Sequence, residues 1–101
     1  MKCDRPPQIE NLLGAIKKFI DTGNFRFSEH AVGRGKERLI TPQDALDILT
    51  NGFHEKSKTA FDPIFKQWKY AIRGKTIDKK NIRVIVAIVD ELIIITVIRL
   101  T

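Results

Sequence analysis

Ile82-Arg83-Val84-Ile85-Val86-Ala87-Ile88-Val89, Asp90-Glu91, then Leu92-Ile93-Ile94-Ile95-Thr96-Val97-Ile98 is the stretch that decides how this chain folds. Both apolar runs are rich in β-branched side chains, which suit a pleated sheet better than a helix. The acidic pair divides them, so neither run is long enough to span a bilayer, and together they predict a hairpin. With Asp90-Glu91 as a two-residue turn, Val89 faces Leu92, Ala87 faces Ile94, Ile85 faces Thr96 and Arg83 faces Ile98. One sheet face then carries Ile82, Val84, Val86, Ile88, Ile93, Ile95 and Val97, and helices are expected over it. The other carries Arg83, Ile85, Ala87, Val89, Leu92, Ile94, Thr96 and Ile98. That face is too apolar to stay wholly in water, which predicts cover from a partner chain, a second copy or a loop.

Upstream of the hairpin, Gln67 to Arg73 alternates well and Phe53 to Lys58 loosely, which adds two strands. Pro63 marks a loop between them, and the charged stretch Gly74 to Lys80 makes the next connection. Before Gly52 the period is helical. Thr41-Pro42-Gln43-Asp44 is a strong helix start, with a threonine cap, proline at the first position and an acid at the third; Asn51-Gly52 ends that helix, predicted over Pro42 to Thr50. Ile9, Leu12, Leu13, Ile16, Phe19 and Ile20 form one apolar stripe of a helix from Gln8 to Asp21, stopped at Gly23. Between these lies a helix beginning at Ser28, with Phe25 and Phe27 as its apolar lead-in. Gly33 and Gly35 inside it each cost on the order of 1 kcal/mol relative to alanine, which predicts an interruption or a close backbone approach. The expected architecture is α+β: about three N-terminal helices on one face of a four-stranded antiparallel sheet. Residues 1–7 are expected to be a flexible tail and residues 8–101 a single domain.

The 101 residues, 43% of them hydrophobic, suit one domain and leave no room for a second. Eighteen Lys and Arg against twelve Asp and Glu give a net charge of +6, a balance that favours polyanions such as RNA or DNA, or plain solubility. Cys3 is the one cysteine, so no disulfide framework and no cysteine-based zinc site are expected, and a reducing cytoplasm fits. The N-terminus lacks the apolar core of a signal peptide, and no membrane span is expected. No cofactor and no metal site are expected, since His30 and His54 have no clustered third ligand.

The chemistry-bearing residues centre on Phe27 to Ile40. With Ser28 as cap, His30, Arg34 and Arg38 fall at i, i+4 and i+8, on one helix face. Cleaving RNA without a metal needs a base for the 2′-hydroxyl proton, an acid for the leaving oxygen and cations at the phosphate. A histidine, with an ordinary pKa of about 6.5, suits the proton transfers, and guanidinium forks suit phosphate. His30, Arg34 and Arg38 are therefore the candidate catalytic residues, and Arg83, Lys69, Tyr70 and Arg73 the candidate substrate-binding ones, with Lys69 and Tyr70 expected on opposite sheet faces. The plain alternatives are that His30 bonds a carbonyl, that Arg34 and Arg38 are solvated or pair with Glu29 and Glu37, that Arg83 is a surface residue at the entrance to its strand, and that Trp68 and Tyr70 pack in the core. His54 and Glu55 read as solvent-exposed residues at the start of an edge strand.

His30-Ala31, Arg34, Arg38 and Ile40, followed by Thr41-Pro42, resemble the domain of unknown function numbered 4258, in which a Ser-x-His-Ala start, spaced arginines and a Ser or Thr helix cap precede a small sheet. The resemblance runs from Phe25 to Ile98. It implies a RelE-like fold, similar to the RelE-like and barnase-like ribonuclease toxins. The expected function is then a metal-independent endoribonuclease, the toxin half of a toxin–antitoxin pair. Its partners would be RNA, in a ribosome-associated form or free, and an antitoxin protein or homodimer partner over the apolar outer sheet face. The alternative is a non-enzymatic module that contacts nucleic acid or a protein through the same basic surface.

Overall fold

The computed structural model describes residues 5–100. Its elements run in the order α1 (Leu12–Asp21), β1 (Phe25–Phe27), α2 (Glu29–Arg38), α3 (Pro42–Asn51), β2 (Phe53–His54), a 3-10 turn (Lys56–Lys58), β3 (Ala60–Asp62), β4 (Gln67–Lys75), β5 (Asn81–Ile88) and β6 (Leu92–Arg99). The class is α+β, but the four-stranded antiparallel sheet preceded by all the helices is overturned. The sheet has six strands in the order β1-β6-β5-β4-β2, with β3 also paired to β4. Moreover β1 lies between the first two helices and runs parallel to β6.

Each difference has a local cause. The Phe25-Arg26-Phe27 lead-in is itself a strand, placing Arg26 opposite Ile93 and the two phenylalanines opposite Leu92 and Ile94. The phenyl rings meet edge to face at 6.4 Å and pack against the core. The Phe53 to Lys58 strand is cut short after His54, where the chain makes its 3-10 turn and returns as β3 on the same edge of β4. Thr59 fills the gap in the ladder, its hydroxyl accepting the Ala71 N–H at 3.1 Å. The first helix starts at Leu12 rather than Gln8, because the Ile9 N–H is held by the Tyr70 hydroxyl at 3.0 Å and Asn11 is left-handed at φ 49°.

The hairpin forms, with Arg83 opposite Ile98 and Ile85 opposite Thr96 as expected, but Val86 then pairs with Ile94. Ile95 is an extra residue, a β-bulge that moves Leu92 and Ile94 to the other face. Both are fully buried. The turn has three residues, Val89 to Glu91, with Asp90 left-handed at φ 63°.

Helices α1 and α3 bury Leu12, Ile16, Ala45, Ile48 and Leu49 against Ile72, Ile82, Val84 and Val86 on the inner sheet face. Among the described residues no helix covers the outer face, which carries Lys69, Ala71, Arg73, Arg83, Ile85, Ala87, Ile93, Thr96 and Ile98. The bulge takes Leu92 and Ile94 out of this face and brings Ile93 into it. Ala71 and Ala87 are fully buried there, low ground between longer side chains.

Candidate functional site

Helix α2 is fastened to the sheet at both ends. Ser28 caps it, its Oγ accepting the Ala31 N–H at 3.1 Å, and the same hydroxyl donates to the Ile95 carbonyl at 2.8 Å. The helix runs through both glycines unbroken. At Gly35 the reason is a close approach, since a Cβ there would meet the Ile40 carbonyl oxygen at 2.8 Å, whereas a Cβ at Gly33 would meet nothing. Ala31 and Gly35 face inward, and Val32 and Lys36 line a small apolar cavity shared with Thr41, Pro42 and Ala45. By helical geometry His30 and Arg34 then lie on the flank turned away from α3.

The candidate catalytic residues are distributed unevenly over this helix. His30 is exposed. Arg34 pairs with Glu37 at 3.1 Å, the ion-pair alternative with the nearer acid. Arg38 turns toward the sheet, and its Nη1 donates to the Val97 carbonyl at 2.7 Å, satisfying a backbone acceptor beyond the end of β1. His30 and Arg34 thus share a flank one turn apart. Arg38 serves as a tie between α2 and β6, and the cavity beside α2 is lined by none of the three.

A second cluster lies on the outer face. Arg73 and Arg83 are directly opposed across β4 and β5, where two like charges repel. Glu55, whose backbone N–H bonds the Ala71 carbonyl on the same edge, places its carboxylate between them. It accepts from Arg83 Nε at 2.6 Å and Nη2 at 3.3 Å, and from Arg73 Nη1 at 3.2 Å. The bond to Arg83 above all, with that to Arg73 added, holds the Glu55 carboxyl below its usual pKa against a burial effect of opposite sign. Asn81 Oδ1 accepts from Arg73 Nε at 3.3 Å. Lys69 pairs with Asp62 at 3.0 Å, and this bond is the main reason the Asp62 carboxyl is also lowered.

Lys69, Arg73 and Arg83 therefore share the open face, while Tyr70 does not. It is 3% exposed on the opposite face, with its hydroxyl engaged by Ile9, so the expected opposition of Lys69 and Tyr70 is present. Glu55 is the residue that sequence reasoning missed as part of a cluster. Its signal was parity: once β2 is aligned on β4, Glu55 falls on the same face as Arg73. His54 points inward, 5.9 Å from the Tyr70 ring and 2.8 Å from Thr59 Oγ1. Burial, and then the charge of Lys56, lower its pKa. Among the described residues there is no group of three His, Cys, Asp or Glu side chains placed to hold a metal ion, and no helix is long and apolar enough to cross a membrane.

A protein-family model described as "Domain of unknown function (DUF4258)" matches residues 27–99. No curated protein matches the chain.

Proposed function

We propose that this chain, which belongs to the DUF4258 family, contacts RNA across the open face of its sheet and cleaves it without a metal. The observation that carries the reading is the opposed pair Arg73 and Arg83 on a face that no described helix covers, with Glu55 between them. The +6 charge and the exposed His30 on the flank of α2 turned away from α3 add to it.

Arg73 is the guanidinium that meets a backbone phosphate of the strand bound on the sheet face. Its side chain is 36% exposed against 15% for Arg83, and its Nε and Nη1 are engaged while Nη2 is left over. Arg83 and Glu55 hold it in place, and Lys69 extends the positive track along β4. In the reaction the 2′-oxygen attacks phosphorus as its proton passes to a base, the P–O5′ bond breaks, and O5′ takes a proton, leaving a 2′,3′-cyclic phosphate and a 5′-hydroxyl. His30 is assigned to proton transfer and Arg34 to the developing phosphate charge. A partner chain laid on Ile85, Ile93 and Ile98 would block the same face, which is how an antitoxin or second copy would restrain the activity.

The test is cleavage of a long single-stranded RNA, with and without ribosomes, by wild type, His30→Ala and Arg73→Ala. Cleavage lost in both variants supports the reading, and activity unchanged in His30→Ala removes that residue from the chemistry. The non-enzymatic reading is favoured by one observation: Arg38 is committed to Val97 and both outer-face arginines to Glu55. RNA binding without cleavage by wild type would select it, with binding that falls steeply as salt rises.

A further inference from the structure

We propose that Phe61, Trp68 and Tyr70 form a docking site for an extended Arg-Pro-Pro segment of a partner protein, and that the chain's own Arg5-Pro6-Pro7 occupies this site in cis. The site is on the inner side of β4, away from the outer-face cluster, and is independent of the ribonuclease reading.

Three contacts define how the segment is held. The Trp68 indole Nε1–H donates to the Pro6 carbonyl at 2.7 Å. The Arg5 guanidinium lies over two rings, 5.5 Å from the centre of Phe61 and 6.0 Å from that of Trp68. The Tyr70 hydroxyl then accepts the Ile9 N–H at 3.0 Å. Indole to carbonyl and cation over ring are among the interactions by which aromatic grooves read proline-rich peptides. Prolines suit them because φ is already fixed and their carbonyls are not committed to regular secondary structure.

The receptor is built into the sheet. Phe61 and Trp68 are cross-strand partners on β3 and β4, with rings 5.4 Å apart at 70°. Tyr70 is buried two residues along β4. The segment also leaves the receptor incompletely filled. An open groove of about 320 Å3 lies between Pro6 and Pro7 on one side and Phe65, Ile88 and Val89 on the other, and Phe65 and Val89 remain 71% and 48% exposed. A partner segment with apolar residues beside its prolines would cover both. That surplus favours a partner over a second copy, whose identical arm would make only the contacts already made in cis.

The tethered arm competes at an effective concentration in the millimolar range, so a short peptide in trans is masked until the arm is loosened. Trp68 is the only tryptophan, and its emission reports occupancy directly. The full-length chain and its Arg5→Ala/Pro6→Gly/Pro7→Gly variant are titrated into fluorescein-labelled Arg-Pro-Pro-Gln-Ile, followed by anisotropy and Trp68 emission. The expected result is binding at least about tenfold tighter by the variant, with its red-shifted emission returning toward the wild-type position. Adding Trp68→Phe should abolish peptide binding with the circular dichroism spectrum retained. No binding by the arm variant, or binding unchanged by Trp68→Phe in a folded chain, overturns the proposal. Concentration-dependent dimerisation of wild type by exchange of arms overturns it too, by making a second copy the occupant.

Discussion

Arg83 meets Glu55 in a two-point clasp, Nε on Oε1 and Nη2 on Oε2, between residues 28 positions apart in the chain. The clasp also screens Arg83 from Arg73, so the carboxylate is at once a structural tie and a brake on the positive field of the outer face. Glu55→Gln keeps the shape and removes the charge. The expected cost is on the order of 1 to 2 kcal/mol, between the exposed and buried limits for breaking one side of an ion pair. Affinity for single-stranded RNA should rise, with a steeper salt dependence, because two guanidiniums are released toward phosphate. Urea unfolding and a salt series of binding measurements test the two halves separately. A variant that loses stability without gaining affinity would show that these arginines do not face the ligand.

The two glycines of α2 predict opposite signs. Gly33→Ala adds a methyl in open space on a helical backbone and should stabilise by roughly 0.5 to 1 kcal/mol. Gly35→Ala pushes a methyl to 2.8 Å from the Ile40 carbonyl, in the tight exit where the Ile40 N–H also bonds the Gly35 carbonyl at 2.8 Å, and should destabilise. Thermal midpoints of the two variants moving in the same direction would contradict this account.

Thr41 anchors α3 through a reciprocal cap, its hydroxyl taking the Asp44 N–H at 3.0 Å while the Asp44 carboxylate takes the Thr41 N–H at 3.0 Å. Thr41→Ala should cost about 1 kcal/mol. Lys80 also reaches Asp44, at 3.4 Å, so Thr41→Ser, which keeps the cap, is the control that should stay close to wild type by urea denaturation.

How much of this was legible in the sequence depended on whether the deciding contact is local. Thr41, Pro42 and Asp44 lie within one turn, and α3 was readable almost to the residue. The β-branched runs made the hairpin plain, but Leu92 to Ile98 is so evenly apolar that alternation could not locate the bulge at Ile95, and with it the side to which Leu92 and Ile94 point. Phe25-Arg26-Phe27 becomes a strand only because β6 offers it an edge, which no three-residue pattern discloses. At the site, the Ser28 cap and the shared flank of His30 and Arg34 follow from spacing. The bond from Arg38 to Val97 and the seat of Glu55 between Arg73 and Arg83 arise from strand pairing across long stretches of chain.

Acid should weaken the fold in two stages. His54 is held below its ordinary value of 6.5 by burial and by Lys56, so between its folded pKa and 6.5 the unfolded chain binds the extra proton. Its contribution is complete above about pH 6.5 and is lost as pH falls through the folded pKa. The carboxyls of Glu55, Asp62 and Asp78 are also lowered, chiefly by hydrogen bonds from Arg83, Lys69 and Thr76 respectively, from ordinary values of 4.5, 3.8 and 3.8. Their contribution is complete above those values and is lost as pH falls through the depressed ones, giving a second, lower stage. Urea midpoints measured from about pH 8 down to about pH 3 should therefore fall first below neutrality and again in the carboxylate range. His54→Gln should flatten only the upper stage and Glu55→Gln only part of the lower. An upper stage that persists in His54→Gln would assign it to a group other than this imidazole.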